Sequence, residues 1–211
     1  MAMSLMGFLV SRFRLTAIRR QSQAVGTAMI DRRTILRCGL GASLAFRRPG
    51  LSAQDTPAAL RPRPGDVLVR IDDATKTPLT AADIPLAATP ILAWAMDPTD
   101  TTVRSGSRLN RVLLLRFDDA ALGGETKARA AGGVVAYSAI CTHTGCDVTD
   151  WVSDERVLSC ACHFSKYNPR DGAMVIDGPA PRPLPALALK IDGGKLVVAA
   201  PFTARITFDP A

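Results

Sequence analysis

The cysteines and histidines of this 211-residue chain are concentrated in two short runs. The first run, residues 141–146, has the sequence C-T-H-T-G-C, and the second, residues 160–167, has the sequence C-A-C-H-F-S-K-Y. Together they contain both histidines and four of the five cysteines of the chain. Each run offers a thiolate and an imidazole, and both of these ligand types bind iron in iron–sulfur proteins.

Two alternatives to an iron–sulfur cluster are open for these residues. A structural zinc site usually pairs cysteine with cysteine and histidine with histidine, whereas here Cys141 is paired with His143 and Cys160 with His163. Two structural disulfides would leave both histidines without a role. The mixed pairs and the two additional cysteines therefore favour a cluster.

The two additional cysteines are Cys146 and Cys162, and neither is needed as a cluster ligand. They can form a disulfide between the two runs if their Cα atoms lie within about 7 Å of each other. Such a bond is expected only in an oxidising compartment.

The combined pattern, C-T-H-x-G-C followed by C-x-C-H-x-S-x-Y, resembles that of Rieske iron–sulfur proteins. The resemblance is to the disulfide-containing branch, which includes the Rieske subunits of cytochrome bc complexes and the small subunit of arsenite oxidase. It is close over residues 132–185 and extends in outline over residues 65–210. It implies one [2Fe–2S] cluster with two cysteines on the inner iron and two histidines on the outer, solvent-facing iron. The ligands that it implies are Cys141, Cys160, His143 and His163, with a disulfide between Cys146 and Cys162.

Residues that surround the cluster in bc-type Rieske proteins have counterparts here. Ser165 and Tyr167 match the serine and the tyrosine that bond a bridging sulfide and a cysteine sulfur in those proteins. Hydrogen bonds to sulfur stabilise the reduced cluster, so the resemblance implies a high reduction potential, within the range of roughly −150 to +300 mV. The proline loop that covers the cluster in this family is matched by Gly178, Pro179, Ala180 and Pro181.

Two residues depart from the bc-complex pattern. Thr144 stands where those subunits usually carry leucine, at the surface that docks on cytochrome b. Phe164 stands where they usually carry glycine, whereas arsenite oxidase small subunits carry phenylalanine there. These departures weaken the resemblance to a quinol-oxidising subunit and favour a periplasmic partner subunit.

Short apolar segments bounded by Gly, Pro or Asp recur after residue 66 and predict an all-β domain. The sequence D-G-G at residues 192–194 predicts a hairpin, a short helix is predicted around residues 125–130, and Thr80 is expected to begin a helical turn. We expect an antiparallel β-sandwich or small barrel with the cluster loops at one end, which the Rieske resemblance also implies. The predicted strands are 67–71, 91–96, 112–117, 134–140, 156–159, 173–176, 186–191 and 195–199.

The net charge of +7 is concentrated at the N-terminus. Residues 1–53 carry +8 and residues 54–211 carry −1, so the high pI does not indicate a nucleic-acid-binding face on the folded domain. Arg32 and Arg33 lie in D-R-R-T-I-L-R, which resembles a twin-arginine export signal. The apolar run that follows is much shorter than the ~20 residues of a membrane-spanning helix. An arginine-rich N-terminus without an export role, and translation from Met29, are the alternatives.

These features predict a leader over residues 1–53, a Pro-rich linker over 54–65 and a Rieske domain over 66–211. The cluster-binding part of the domain is predicted at about residues 134–185. We expect a leader exported by the twin-arginine route to place the protein in the periplasm, with membrane association if the leader is not cleaved.

The predicted function is one-electron transfer as the iron–sulfur subunit of an oxidoreductase, because the sequence offers no nucleophile or paired carboxylates for catalysis of its own. One class of partner is cytochrome b with quinol, in a bc complex. The other is a molybdopterin subunit, as in arsenite oxidase, or a c-type cytochrome that meets a free Rieske carrier. A third, non-redox interpretation is a zinc-bound or disulfide-stapled β-domain that only binds a partner.

Overall fold

The computed structural model describes residues 56–208 of the chain. The leader predicted over residues 1–53, with Arg32 and Arg33, lies outside the described residues. Within residues 56–208 there is one α-helix, α1 (Gly124–Arg129), and ten β-strands. The strands are β1 (Val67–Arg70), β2 (Ile91–Met96), β3 (Val112–Arg116), β4 (Val134–Ser138), β5 (Val148–Val152), β6 (Val157–Cys160), β7 (Lys166–Asn168), β8 (Met174–Asp177), β9 (Leu187–Asp192) and β10 (Lys195–Phe202).

The described strands form two antiparallel sheets. Six of them pair in the order β4-β3-β2-β1-β10-β9, and the two outer strands of this sheet approach each other. Tyr137 forms a bridge with Ala186, and the amide of Ser138 donates to the carbonyl of Pro185 over 2.9 Å. The six-stranded sheet is therefore curled into a nearly closed barrel. The other four strands pair in the order β5-β6-β7-β8 and are inserted in the chain between β4 and β9.

Strand β3 shows how the sequence joins the two sheets. Its V-L-L-L run is apolar at successive positions, as expected of a strand that is buried on both faces. Leu113 and Leu115 pack in the core shared with the four-stranded sheet, whereas Val112 and Leu114 pack inside the barrel. Burial of side chains of this size contributes about 1.5–3 kcal/mol each, so the two faces of one strand hold both layers together.

The all-β prediction is confirmed, and each predicted strand overlaps an observed one. The short helix predicted around residues 125–130 is α1, and Thr80 precedes a 3-10 turn, with its amide donating to the Asp83 carboxylate over 2.8 Å. The sequence pattern misses β5 and β7. Strand β7 has only three residues, of which Lys166 and Asn168 are polar, and β5 exposes Thr149 and Asp150, so neither has the apolar run that predicts a strand.

Part of the segment that the sequence predicts to be a linker contacts the barrel directly. The carbonyl of Ala58 accepts from the amide of Gly106 over 2.8 Å, and the carbonyl of Leu60 accepts from the side-chain amide of Asn110 over 2.8 Å. Because these bonds fix the backbone, the segment from residue 58 onward is held on the domain. The boundaries of the domain stay a prediction. No helix within residues 56–208 is both long and apolar enough to cross a membrane.

Candidate metal centre

The first cluster loop, residues 141–146, is a tight turn that connects β4 to β5. The amide of Cys141 donates to the carbonyl of Cys146 over 2.8 Å, and the amide of Gly145 donates to the carbonyl of Cys141 over 3.1 Å. Gly145 has a φ of +78°, which glycine adopts without steric cost. The turn buries Cys141 and leaves His143 half-buried.

The second cluster loop, residues 160–165, connects β6 to β7 with the same hydrogen-bond pattern. The amide of Cys160 donates to the carbonyl of Ser165 over 3.0 Å, and the amide of Phe164 donates to the carbonyl of Cys160 over 2.8 Å. Phe164 takes the place that glycine has in the first loop, with a φ of +58° and 72% of its surface exposed. Cys160 is buried, and His163 is exposed.

A disulfide joins the two loops. Cys146 and Cys162 are bonded, with their Cα atoms 6.5 Å apart, so the predicted disulfide is present. The bond connects the end of the first loop to the middle of the second. It therefore limits how far the two loops can separate.

The free cysteines of residues 56–208 are Cys141 and Cys160, and both are buried. Burial raises the pKa of the Cys160 thiol, and the neighbouring Cys141 side chain raises it further. The sulfur of Cys160 lies within 4.8 Å of both disulfide sulfurs. Those two sulfurs are bonded to each other, so the thiols that remain available to a metal here belong to Cys141 and Cys160.

The two histidines lie side by side. Their ring centroids are 4.6 Å apart, and the rings meet edge to face at 83°. The Nδ1 atom of His143 is buried and has no hydrogen-bond partner. A buried nitrogen without a partner costs about 1–3 kcal/mol, and a neutral imidazole nitrogen is a common metal ligand. Two thiols and two imidazoles, one with an unpaired buried nitrogen, fit the ligand set of a [2Fe–2S] cluster held by Cys141, Cys160, His143 and His163.

Tyr167 lies beside one of these thiols. Its hydroxyl oxygen is 3.2 Å from Cys141 Sγ and accepts from the amide of Thr142 over 3.4 Å. Burial, followed by the contact with Cys141, raises the pKa of Tyr167 well above its usual range. The phenol therefore stays protonated, and it can donate to the cysteine sulfur when that sulfur is a thiolate.

Ser165 is fully buried beneath the proline loop. Its Oγ accepts from the amide of Ala180 over 3.1 Å, and no acceptor for its own proton occurs in the part of the chain that the structure describes. Gly178 has a φ of +85°, and a Cβ on it would lie 2.5 Å from the Cα of Ser165, so only glycine fits. The loop with Pro179 and Pro181 thus packs directly on the second cluster loop.

Some contacts of the first cluster loop were not predicted from the sequence. The hydroxyl of Thr142 donates to the carbonyl of Arg182 over 2.7 Å, and Arg108 donates to the carbonyl of Gly145 over 2.7 Å. The partners in each contact are far apart in the chain. No local pattern indicates such a pair, so only the three-dimensional structure reveals it.

The sequence profile of the family described as "Rieske [2Fe-2S] domain" matches residues 110–188, which contain both cluster loops and the proline loop. Residues 110–188 form a Rieske domain. The cofactor of such a domain is one [2Fe–2S] cluster, and the four side chains above fit it. When bound, this cluster supplies one-electron redox chemistry.

Two curated relatives and one solved structure illustrate the similarity. The Haloferax mediterranei protein named "Putative respiratory nitrate reductase subunit Rieske" is 36% identical over 97 residues, which cover 46% of this chain and 43% of that protein. The cytochrome bc1 complex Rieske iron–sulfur subunit of Streptomyces lividans is 28% identical over 61% of this chain and 75% of its own length. The chain thus spans less than half of the length of the first of these relatives.

Among solved structures, the cyanobacterial plasma membrane Rieske protein from Synechocystis PCC 6803 has a TM-score of 0.37 and 26% identity. The match covers 57% of this chain and 95% of that one.

Proposed function

We propose that this protein transfers single electrons through its Rieske cluster as the iron–sulfur subunit of a periplasmic oxidoreductase complex. The observation that carries the proposal is the pair of matching loops. They bring two buried thiols and two imidazoles together, and the Nδ1 of His143 is left without a hydrogen-bond partner. The protein is a subunit rather than a catalyst on its own.

We assign the cluster ligands by their burial. The buried Cys141 and Cys160 would hold the inner iron, and His143 and His163 would hold the outer one. Since His163 is exposed, the histidine side of the cluster faces the solvent. A redox partner therefore approaches from that side, and electrons enter or leave there.

The disulfide supports a location outside the cytoplasm, because disulfides persist in oxidising compartments. The twin arginines Arg32 and Arg33 support export by the route that carries folded proteins, which suits a cluster inserted before export. If the leader is not cleaved, it also serves as a weak membrane attachment.

The partner is one of two classes. A bc-type complex would supply cytochrome b and quinol, and the Streptomyces lividans relative carries the name of such a subunit. A molybdopterin subunit or a c-type cytochrome is the other class. Phe164 and Thr144 favour the second class, because they differ from the bc-complex pattern, and the Haloferax relative is named for a respiratory nitrate reductase.

A redox titration of the full chain loaded with cluster, at several pH values, tests the proposed chemistry. We expect a Rieske-type electron paramagnetic resonance (EPR) signal on reduction and a high potential that falls with rising pH. Cys141→Ser and His143→Ala should abolish this signal. A colourless protein that binds zinc would contradict the proposal. A low potential that does not change with pH would contradict the assigned roles of Ser165 and Tyr167.

The identity of the partner needs a separate experiment. Affinity purification of the full chain from its native cells, followed by mass spectrometry, should recover a molybdopterin subunit or a c-type cytochrome. Recovery of cytochrome b would instead support the bc-type alternative. A matched purification of the Phe164→Gly variant shows whether the exposed ring contributes to the association.

A further inference from the structure

The last described segment of the chain, residues 203–208, crosses from the barrel to the cluster loops. The amide of Thr203 donates to the carbonyl of Ala186 over 2.9 Å, and the hydroxyl of Thr203 accepts from the amide of Ala186 over 2.9 Å. Ile206 is buried. The segment is therefore fixed to the start of β9 before it reaches the cluster region.

The same segment is bonded to the proline loop. The guanidinium of Arg182 donates to the carbonyl of Thr207 and, over 2.6 Å, to its hydroxyl. The carbonyl of Arg182 accepts from the hydroxyl of Thr142, which is part of the first cluster loop. Thr207 is thus connected through Arg182 to the side chain of Thr142, the residue between Cys141 and His143.

Phe208 reaches the first cluster loop directly. A Cβ placed on Gly145 would lie 2.8 Å from carbon atoms of the Phe208 ring, so the ring lies where a side chain would otherwise be. The absence of a side chain at Gly145 therefore serves two purposes. It permits the positive φ of the turn, and it leaves room for the aromatic ring of a distant part of the chain.

Arg108 holds this contact from the other side. Its guanidinium carbon lies 5.8 Å from the centroid of the Phe208 ring, within the range of a cation–π interaction. One guanidinium nitrogen donates to the carbonyl of Gly145 over 2.7 Å and lies 3.5 Å from the Asp147 carboxylate. Arg108 therefore contacts the ring, the loop carbonyl and the carboxylate of Asp147, the residue between the loop and β5, at the same time.

We propose that residues 203–208 together with Arg108 form a C-terminal clamp that positions the first cluster loop. The clamp fixes Gly145, and through it the adjacent Cys146, whose disulfide leads to the second loop. Phe208, Thr207 and Arg108 are positioning residues, because they act on the first cluster loop through Gly145 and Arg182. The inference rests on the proposed function only in that Cys141 and His143 are taken as ligands.

Cluster retention and the EPR spectrum of the full chain test the clamp. In Phe208→Ala, the visible absorbance of the cluster should be lost about two- to fivefold faster than in the wild-type chain. This is the change expected when a cation–π contact is removed. The substitution should also broaden the EPR features, because the loop then samples several conformations. Phe208→Tyr retains the ring and should restore the wild-type rate and spectrum. Arg108→Gln, which leaves the segment itself intact, should resemble Phe208→Ala.

Ile191→Ala is the matched control, since Ile191 is an apolar side chain that is 51% exposed and lies on β9 outside the cluster loops. The clamp is refuted if Phe208→Ala and Arg108→Gln both retain the cluster as long as this control, with an unchanged spectrum. If Phe208→Ala does not fold, Arg108→Gln alone decides between the same outcomes. A wild-type chain without a Rieske-type signal would instead refute the proposed function.

Discussion

Two buried polar regions of this domain differ in whether residues of the chain itself supply the partners of their polar groups. Around Arg104, whose side chain is 1% exposed, every nitrogen of the guanidinium has an acceptor. The carboxylate of Asp66 accepts two bonds of 3.1 Å, the carboxylate of Asp97 accepts one of 3.1 Å, and the carbonyl of Pro57 accepts one of 3.0 Å. This region, the Arg104 network, satisfies its charges with residues of the chain itself.

The cluster loops do not satisfy their polar groups in this way. The Nδ1 atom of His143 has no hydrogen-bond partner, and the buried thiols of Cys141 and Cys160 form no disulfide. The residues that stabilise the barrel and those that hold the redox site are therefore separate sets. We therefore expect variants of the two regions to have separable effects on unfolding and on cluster properties.

The largest effect is expected from Arg104→Met. This change leaves the carboxylates of Asp66 and Asp97 without their buried partner, which costs about 3–5 kcal/mol in the free energy of unfolding. Chemical denaturation followed by circular dichroism measures the loss. Arg70→Met is the matched control, because the ion pair of Arg70 with Asp72 is exposed and worth about 0–1 kcal/mol.

Because the two regions are separate, the folded fraction of Arg104→Met should keep the wild-type EPR spectrum. A changed spectrum would mean that the Arg104 network and the cluster loops are coupled.

The next largest effect is expected from removal of the disulfide. Cys146 and Cys162 are separated by 16 positions, and closing a loop of this size contributes roughly 3 kcal/mol in the chain-entropy account. In the double variant Cys146→Ser/Cys162→Ser, we expect the visible absorbance of the cluster to be lost at lower denaturant than the β-sheet signal. The two transitions should be closer together in the wild-type protein. If the variant loses both signals together at the wild-type midpoint, the disulfide does not hold the loops.

A smaller effect is expected from the hydrogen-bond donors near the cluster. Tyr167→Phe and Ser165→Ala should each lower the reduction potential, because a donor to sulfur stabilises the reduced state. A hydrogen bond of about 1 kcal/mol corresponds to roughly 40 mV for a one-electron couple. A redox titration of the loaded full chain measures both shifts.

Tyr137→Phe is the control for this pair of variants. The hydroxyl of Tyr137 is also buried, but it donates to the carbonyl of Pro169 over 2.7 Å rather than to a sulfur. We expect this variant to lose about 1 kcal/mol in the free energy of unfolding, with no change in the reduction potential. Equal shifts in all three variants would show that the potential follows general loosening of the fold instead of specific donors.

The sequence predicted the parts of this protein that local patterns determine. The family resemblance of the two cysteine–histidine runs implied the four candidate ligands and the disulfide pair, and apolar runs predicted strands such as β2 at its observed bounds. The pattern could not indicate β5, whose exposed Thr149 and Asp150 interrupt the apolar run. It also could not indicate the contacts of Arg108 and Phe208 with Gly145, because their positions in the chain are far apart.

The smallest effect is expected at Asp97, on the edge of the Arg104 network. The hydroxyl and the amide of Thr99, with a further bond from Arg63, hold the pKa of Asp97 well below its usual range. Because folding lowers this pKa, the ionised carboxylate stabilises the fold above the unfolded pKa of about 3.9, and this contribution is lost as the pH falls below that value towards the folded pKa. Thr99→Val removes the hydroxyl donor, so at neutral pH its Tm should fall by no more than about 4 °C.

The pH dependence of Thr99→Val distinguishes this effect from a general loss of packing. Since the variant has less of the stabilisation that protonation removes, its Tm should approach that of the wild type as the pH falls below about 4. A Tm difference that stays constant with pH would mean that Thr99 acts by packing alone. A shift in the cluster spectrum of the same variant would be the more serious contradiction, because it would connect the charge network of the barrel to the redox site.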